Sequence, residues 1–320
     1  MNVLMYDHRL NEYFDGGRCM SRIHLAATLT LVASLSPALL AQWPRFVAPT
    51  VPKTADGKIN YDAPPPKAAD GKPDLSGVWE TVPCKGCAVP VISGLGSAPP
   101  QGRGTAPAAP AAPPTPPTPQ LGRGNVFGNI GGQIVGGAPY QPWAADLVKK
   151  RMADNSKDNP DAHCLPMGIM QLNSHPFPRK IIQTSSVVAI IYEGSGTTVR
   201  EIFLDGRPLP KKDEVEPWWH GYSVGKWEGD TLVVETSNFM DDGWLDVRGS
   251  PLTSEGKIIE RFQRTSYGNL ELTVTIDDPK AYTKPFSALI HNRLAPDLQL
   301  SEFVCIDKDA EHYVGGAGGK

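Results

Sequence analysis

From about residue 181 onward the hydrophobic pattern has period two, and this alternation limits the possible folds more than any other feature of the chain. The runs 181–193, 197–204, 220–228, 231–239, 257–266, 270–277, 286–294 and 299–306 are predicted strands. The clearest sets Leu270, Leu272, Val274 and Ile276 against Glu271, Thr273 and Thr275, one face for a core and one for water. Between the runs stand Gly194-Ser195-Gly196, Glu228-Gly229-Asp230, Tyr267-Gly268-Asn269 and Pro296-Asp297. Connections this short make hairpins, so neighbouring strands are expected to be antiparallel. About eight strands in meander order, without helical crossovers, predict a mainly β fold: an antiparallel up-and-down β-barrel or a strongly curled meander.

The remainder of the 320 residues is organised by composition. Met20 is the expected start, and residues 1–41 read as a signal peptide. Arg22 and His24 precede an apolar run, Leu25–Leu40, too short for a comfortable membrane span, and Ala41-Gln42 follows as a cleavage site. The rival reading is a retained anchor helix. Residues 42–73 have no sustained period and read as an extended tether. Residues 74–92 hold a first short strand and the pair Cys84 and Cys87, and residues 93–139 are rich in Pro, Gly and Ala. Such a composition buries too little apolar surface to offset its ordering entropy, so a disordered insertion is expected there. Residues 140–313 form the helix-plus-barrel domain and 314–320 a flexible tail. The one short helix opens at Pro142-Trp143, with Trp143, Leu147, Val148 and Met152 on its apolar stripe and Asp146, Lys149, Lys150 and Arg151 toward water.

Once Cys19 is lost with the leader, four cysteines remain: Cys84, Cys87, Cys164 and Cys305. An even number in an exported chain makes disulfides the default. Ala88 after Cys87 excludes a c-type haem site, and the thin spacing of the other two weakens a zinc reading. Joining Cys164 to Cys305 would tie the helix region to the last strand and leave Cys84 and Cys87 to each other. Pairings of Cys84 with Cys305 or Cys87 with Cys164 are the alternatives.

Charge and motifs exclude several classes. A formal net charge of −3 gives no basic field for nucleic acid. HExxH, GxSxG, Walker A and dinucleotide fingerprints are all missing, so no metal and no cofactor is predicted.

Candidate chemistry gathers in two places. Residues 216–236 hold Trp218, Trp219, His220, Tyr222 and Trp227, aromatics with a polar handle of the kind that stack on flat or sugar-like ligands. The plainer reading is that they cap a barrel end. The loop 238–249 concentrates Asp241, Asp242, Trp244, Asp246 and Arg248, enough for an acid–base pair or for orienting a polar ligand, or simply a solvated loop with capping aspartates. Arg261 and His291 lie on strands beside these regions. A site assembled from His220, His291 and a carboxylate is conceivable, although a strand histidine is more often structural.

The motifs Pro73-Asp74-Leu75-Ser76-Gly77-Val78-Trp79, Pro142-Trp143-Ala144, Cys164-Leu165-Pro166 and Trp227-Glu228-Gly229-Asp230-Thr231-Leu232-Val233-Val234 occur together in this chain. So do Asp277-Asp278-Pro279 before Tyr282-Thr283-Lys284-Pro285, and the late Cys305. In this combination the chain resembles an uncharacterised family of secreted proteins from environmental bacteria. The resemblance covers roughly 71–92 and 140–313 and implies domain boundaries but no activity. The family commonly carries a His near the position where this chain has Thr253, so a third histidine is missing there. Gly77-Val78-Trp79 also resembles the Gly-x-Trp that opens lipocalin barrels.

Three functions follow as expectations. The first is an exported barrel, periplasmic or extracellular, that binds a small, partly apolar ligand in its mouth. Trp218, Trp219 and Trp244 would stack on the ligand, and His220, Asp241, Asp242 and Arg248 would orient its polar end. The second is a hydrolase, lyase or isomerase on the same scaffold, with His220 or Asp242 moving a proton and Arg248 or Arg261 steadying negative charge. The third is a structural or partner-docking module of the cell envelope. No nucleic acid and no integral membrane segment after leader cleavage are expected as partners.

Overall fold

The computed structural model describes residues 47–82, 126–134, 136–194, 198–212 and 214–305. The leader, the Cys84 and Cys87 pair, the Pro-rich core of the insertion and the tail lie outside the described residues.

Nine strands close into a barrel: β1 (Gly77–Val82), β2 (Arg179–Gln183), β3 (Val187–Tyr192), β4 (Val199–Phe203), β5 (Tyr222–Glu228), β6 (Thr231–Ser237), β9 (Lys257–Ser266), β10 (Asn269–Asp277) and β11 (Phe286–Leu294). The two-residue strands β7 (Gly243–Trp244) and β8 (Pro251–Leu252) pair with each other in the connection from β6 to β9. Around the barrel the order is β1-β11-β10-β9-β6-β5-β4-β3-β2, and β1 pairs with β2 to complete the ring. The expected alternation holds best in β10, where Leu270, Leu272, Val274 and Ile276 are buried and the residues between them half-buried.

Several expectations need correction. The run 181–193 is two strands, because Thr184 closes a tight turn by bonding the Val187 N–H through its hydroxyl at 3.0 Å. The stretch 299–305 is not a strand. The barrel is not wholly antiparallel, since β4 and β5 run parallel, with Ile202 opposite Ser223. A parallel pair cannot be joined by a tight turn, and residues 204–221 make the return crossing.

There are two α-helices among the described residues, not one. Helix α1 (Pro142–Ala153) lies where expected, but its buried residues are Ala144 and Val148, and Trp143 and Met152 are exposed. Arg151 faces the protein, its guanidinium 4.3 Å from the Trp244 ring centre. Helix α2 (Ile169–Ser174) is buried at all six residues. It leads through His175 to Arg179 at the start of β2, so it sits at the end of the barrel where β2, β9 and β11 begin, here called the plug end. Neither helix is long and apolar enough to cross a membrane.

At the opposite, hairpin end the expected tether is a docked segment. Its described part contains two copies of one turn, Lys53 paired with Ile59 around Asp56-Gly57 and Lys67 paired with Pro73 around Asp70-Gly71. Both glycines have positive φ, which the turn requires. The segment grips the hairpin tips. Tyr61 O accepts from the Gly268 N–H at 2.9 Å and from Ser266 Oγ at 2.7 Å, and Lys67 pairs with Asp230 at 2.7 Å. Gly268 is required here, because a Cβ would stand 2.3 Å from the Tyr61 ring. The insertion also ends sooner than its composition suggests. Val126 and Ile130 are buried, and Gln133 bonds both the N–H and the carbonyl of Leu289.

Candidate functional site

The inward faces of the strands fill the barrel. Apolar residues from β6, β9, β10 and β11 occupy most of it, and α2 enters the plug end carrying Ile169, Met170 and Leu172. Full burial of each such side chain contributes about 1.5–3 kcal/mol. Where α2 meets the strands, a polar network replaces the apolar packing. Arg200 of β4 grips Glu260 of β9 with both terminal nitrogens, one at 2.9 Å, and also donates to Ser223 of β5 at 3.1 Å and Thr236 of β6 at 2.9 Å. Asn173 of α2 donates to Glu260 at 2.7 Å and accepts from Tyr192 OH at 2.9 Å, and its backbone carbonyl accepts from Thr81 Oγ1 at 3.3 Å. Arg179 donates to Thr81 Oγ1 at 3.2 Å and to Asn292.

The electrostatics follow from these contacts. Burial works against the Arg200 charge, but Glu260 more than offsets it, so the Arg200 pKa is raised. For Arg179 burial dominates, and its pKa falls to about 10 despite Tyr192 and Glu260. The network is fully built and internally paired apart from Gln171 Oε1, a buried acceptor with no hydrogen-bond partner among the described residues. The amide nitrogen of the same side chain donates to Trp244 O at 3.2 Å.

The sequence-predicted site residues do not assemble at a barrel mouth. His220 is half-buried and bonds the Met167 carbonyl through Nε2 at 3.0 Å, with no carboxylate hydrogen-bonded to it among the described residues. Burial lowers its pKa to about 4, against the pull of the Met167 carbonyl and with help from Arg200, so the ring is neutral at neutral pH. Asp242 is exposed, and Arg248 reaches Met152 Sδ from the loop. Trp244 is 2% exposed beneath Arg151 and stacks on nothing that enters from outside. Asp241 caps the Ser254 N–H at 2.8 Å.

Asp246 is buried and organises its own loop, accepting from the backbones of Ile130, Arg248 and Ser250 and from Ser250 Oγ. Its pKa is raised by burial against all of these bonds. Arg261 pairs with Glu228 at 3.0 Å and His291 lies 3.8 Å from Glu271, both on the outer wall. Trp218 and Tyr222 do come together, ring centres 5.5 Å apart, but on the outside, in a stack continued by Phe203 and Arg207. Trp219, next to Trp218 in sequence, is half-buried. No group of three or more His, Cys, Asp or Glu side chains gathers as a metal site among the described residues.

Cys164 and Cys305 form the expected disulfide, with Cα atoms 5.5 Å apart.

A concave site lies instead at the hairpin end. A groove of about 450 Å³ opens between the docked segment and the strand ends of β1, β9 and β11. Val51, Pro66, Val78, Leu294, Pro296 and Leu298 give it an apolar lining. Asp74, Ser76, Arg264 and Tyr267 supply its polar groups. Arg264 occupies an inward position of β9 in line with Ile258, Glu260 and Phe262 and is 5% exposed. Its guanidinium lies 4.9 Å from the Trp79 ring centre, and burial lowers its pKa to about 10, partly countered by Asp74 and Tyr267.

Sequence reasoning passed over Arg179, Arg200, Glu260 and Arg264, yet a signal was present. In β9 the alternating face reads Ile258, Glu260, Phe262, Arg264, so two charges interrupt an apolar stripe. A charge at a core-facing position must be paired or serve a site.

Comparison of the chain with family models, with curated proteins and with solved structures finds no match.

Proposed function

We propose that this chain is an exported small-molecule-binding β-barrel whose ligand site is the groove at the hairpin end. The observation that carries this reading is the groove itself: about 450 Å³, bordered by apolar side chains and by the polar groups of Asp74, Ser76, Arg264 and Tyr267. That volume falls in the range of sites that hold a small organic ligand. The lumen is the poorer candidate, because α2 and the inward side chains occupy it. Export to the periplasm or the extracellular space accords with the disulfide between Cys164 and Cys305, since such bonds persist in oxidising compartments. Catalysis by His220 draws no support from its geometry, in which a backbone carbonyl stands where a carboxylate would be needed.

The test is native mass spectrometry and thermal shift of the purified chain against a small-molecule library. Ala295→Trp, which fills the groove, serves as control. Retained mass and a raised Tm that both vanish in Ala295→Trp are expected. A ligand that binds this variant as well as the natural chain would place the site elsewhere and end the proposal.

A further inference from the structure

The occupant of the groove can be specified further, on the reading that the groove is a ligand site. Arg264 is a buried cation whose hydrogen-bond acceptors are all neutral. Nε donates to the carbonyls of Ser266 at 3.3 Å and Tyr267 at 3.2 Å, Nη1 to the carbonyl of Asp74, and Nη2 to that of Tyr267. It forms no ion pair among the described residues, in contrast to Arg200, which lies deeper in the same barrel and is gripped by Glu260. Each terminal nitrogen carries a second N–H, and no acceptor for these stands among the described residues. The rings of Trp79 and Tyr267, 4.9 Å and 5.4 Å from the guanidinium carbon, soften the charge without neutralising it.

We propose that the groove binds a single-chain amphiphile with a monoanionic head, of the fatty-carboxylate class, its head on Arg264 and its tail along Val51, Val78, Leu294 and Leu298. A guanidinium with free N–H groups matches a carboxylate in both charge and geometry. Ser76 assists. Its Oγ accepts the Gln183 N–H at 3.2 Å, which leaves the hydroxyl hydrogen to donate to the head. The same rim limits the charge it can take. Asp74 lines the groove, its Oδ1 held by the Ser76 N–H at 2.8 Å, and it opposes every negative charge on the ligand. The one that Arg264 pairs with is compensated, and a second would meet Asp74 with no further cation among the described lining residues to offset it. One negative charge is favoured, and two are not.

The experiment is calorimetric titration of the full chain with four ligands of equal tail length: decanoate, decanol, decylammonium and, at pH 8, decyl phosphate. Decanoate is expected to bind at least about tenfold more tightly than decanol or decylammonium, a difference of about 1.4 kcal/mol, and more tightly than the phosphate. Arg264→Gln should abolish the preference for decanoate over decanol, and Arg264→Lys should restore part of it. If the arginine variants fail to fold, the four-ligand series on the natural chain still decides the matter. Equal binding of decanol and decanoate overturns the assignment of an anionic head while leaving the groove as a site. Tighter binding of the phosphate overturns the limit to one charge. No binding by any of the four overturns this inference, and the library screen then tests the groove reading separately.

Discussion

Asn173 of α2 donates its side-chain amide to Glu260 of β9 at 2.7 Å, joining the helix that closes the barrel to the ion pair that spans it. The same carboxylate is held by Arg200. Plug and wall therefore share one buried charge, and that sharing governs what substitution there should do.

Removing one partner of a buried pair leaves the other charged and unpaired, at a cost of about 3–5 kcal/mol. Arg200→Met and Glu260→Leu should each lose that much, read from urea unfolding. The double variant Arg200→Met/Glu260→Leu should lose far less than the sum, because no orphaned charge remains. Simple additivity of the two losses would show that the pair is not coupled as the geometry requires.

Two histidines make the fold sensitive to acid. His175 is buried, accepts the Phe177 N–H on Nδ1 at 3.0 Å, and has a pKa of about 4, lowered by burial and by Arg179. His220 has the same value. Between pH 6.5 and about 4 the unfolded chain takes up these protons and the folded chain does not. Stability should therefore fall as pH drops through that window, by up to about 3 kcal/mol for each ring. Asp246 and Asp161, with carboxyl pKa values raised by burial, oppose the trend at its acid end. Denaturant titrations at pH 7 and pH 4.5 test this, and His220→Gln should flatten the slope. A variant with the slope of the natural chain would remove His220 from the account.

The disulfide closes a loop of 141 residues. In the chain-entropy model such a link contributes on the order of 4–5 kcal/mol, so Cys164→Ser/Cys305→Ser should shift the urea midpoint accordingly. Non-reducing peptide mapping of the purified protein should recover the 164–305 linked peptide. Its absence would refute the pairing.

The barrel was legible in the sequence because β9, β10 and β11 alternate cleanly and each is joined to the next by a short connection or tight turn. The parallel pairing of β4 with β5 was not, since nothing in residues 204–221 distinguishes a crossing from a long hairpin loop. Helix α2 escaped notice for a physical reason. Buried on every side, Ile169–Ser174 has no wet face and therefore no helical period, and it is too short to announce itself by length. The aromatic cluster around Trp218 was legible as composition, but composition does not say which side of a wall it decorates. The repeat of Lys-Thr-Ala-Asp-Gly-Lys at 53–58 as Lys-Ala-Ala-Asp-Gly-Lys at 67–72 carries its turn signal openly, whereas a reading by periodicity alone finds only tether.

The pairing of β1 with both β2 and β11 has a kinetic consequence. Residues 77–82 must find partners at 179–181 and at 291–294, so the ring closes only through contacts between the first and last strands of the barrel. Contacts of such high order make folding slow, and until β11 arrives the edges of β1 and β10 stand open to pairing with other chains. A chain translocated from its N-terminus would hold its first strand unpaired on one side until almost the last described residues had crossed. Its passage to the native state then depends on remaining unaggregated for as long as that takes.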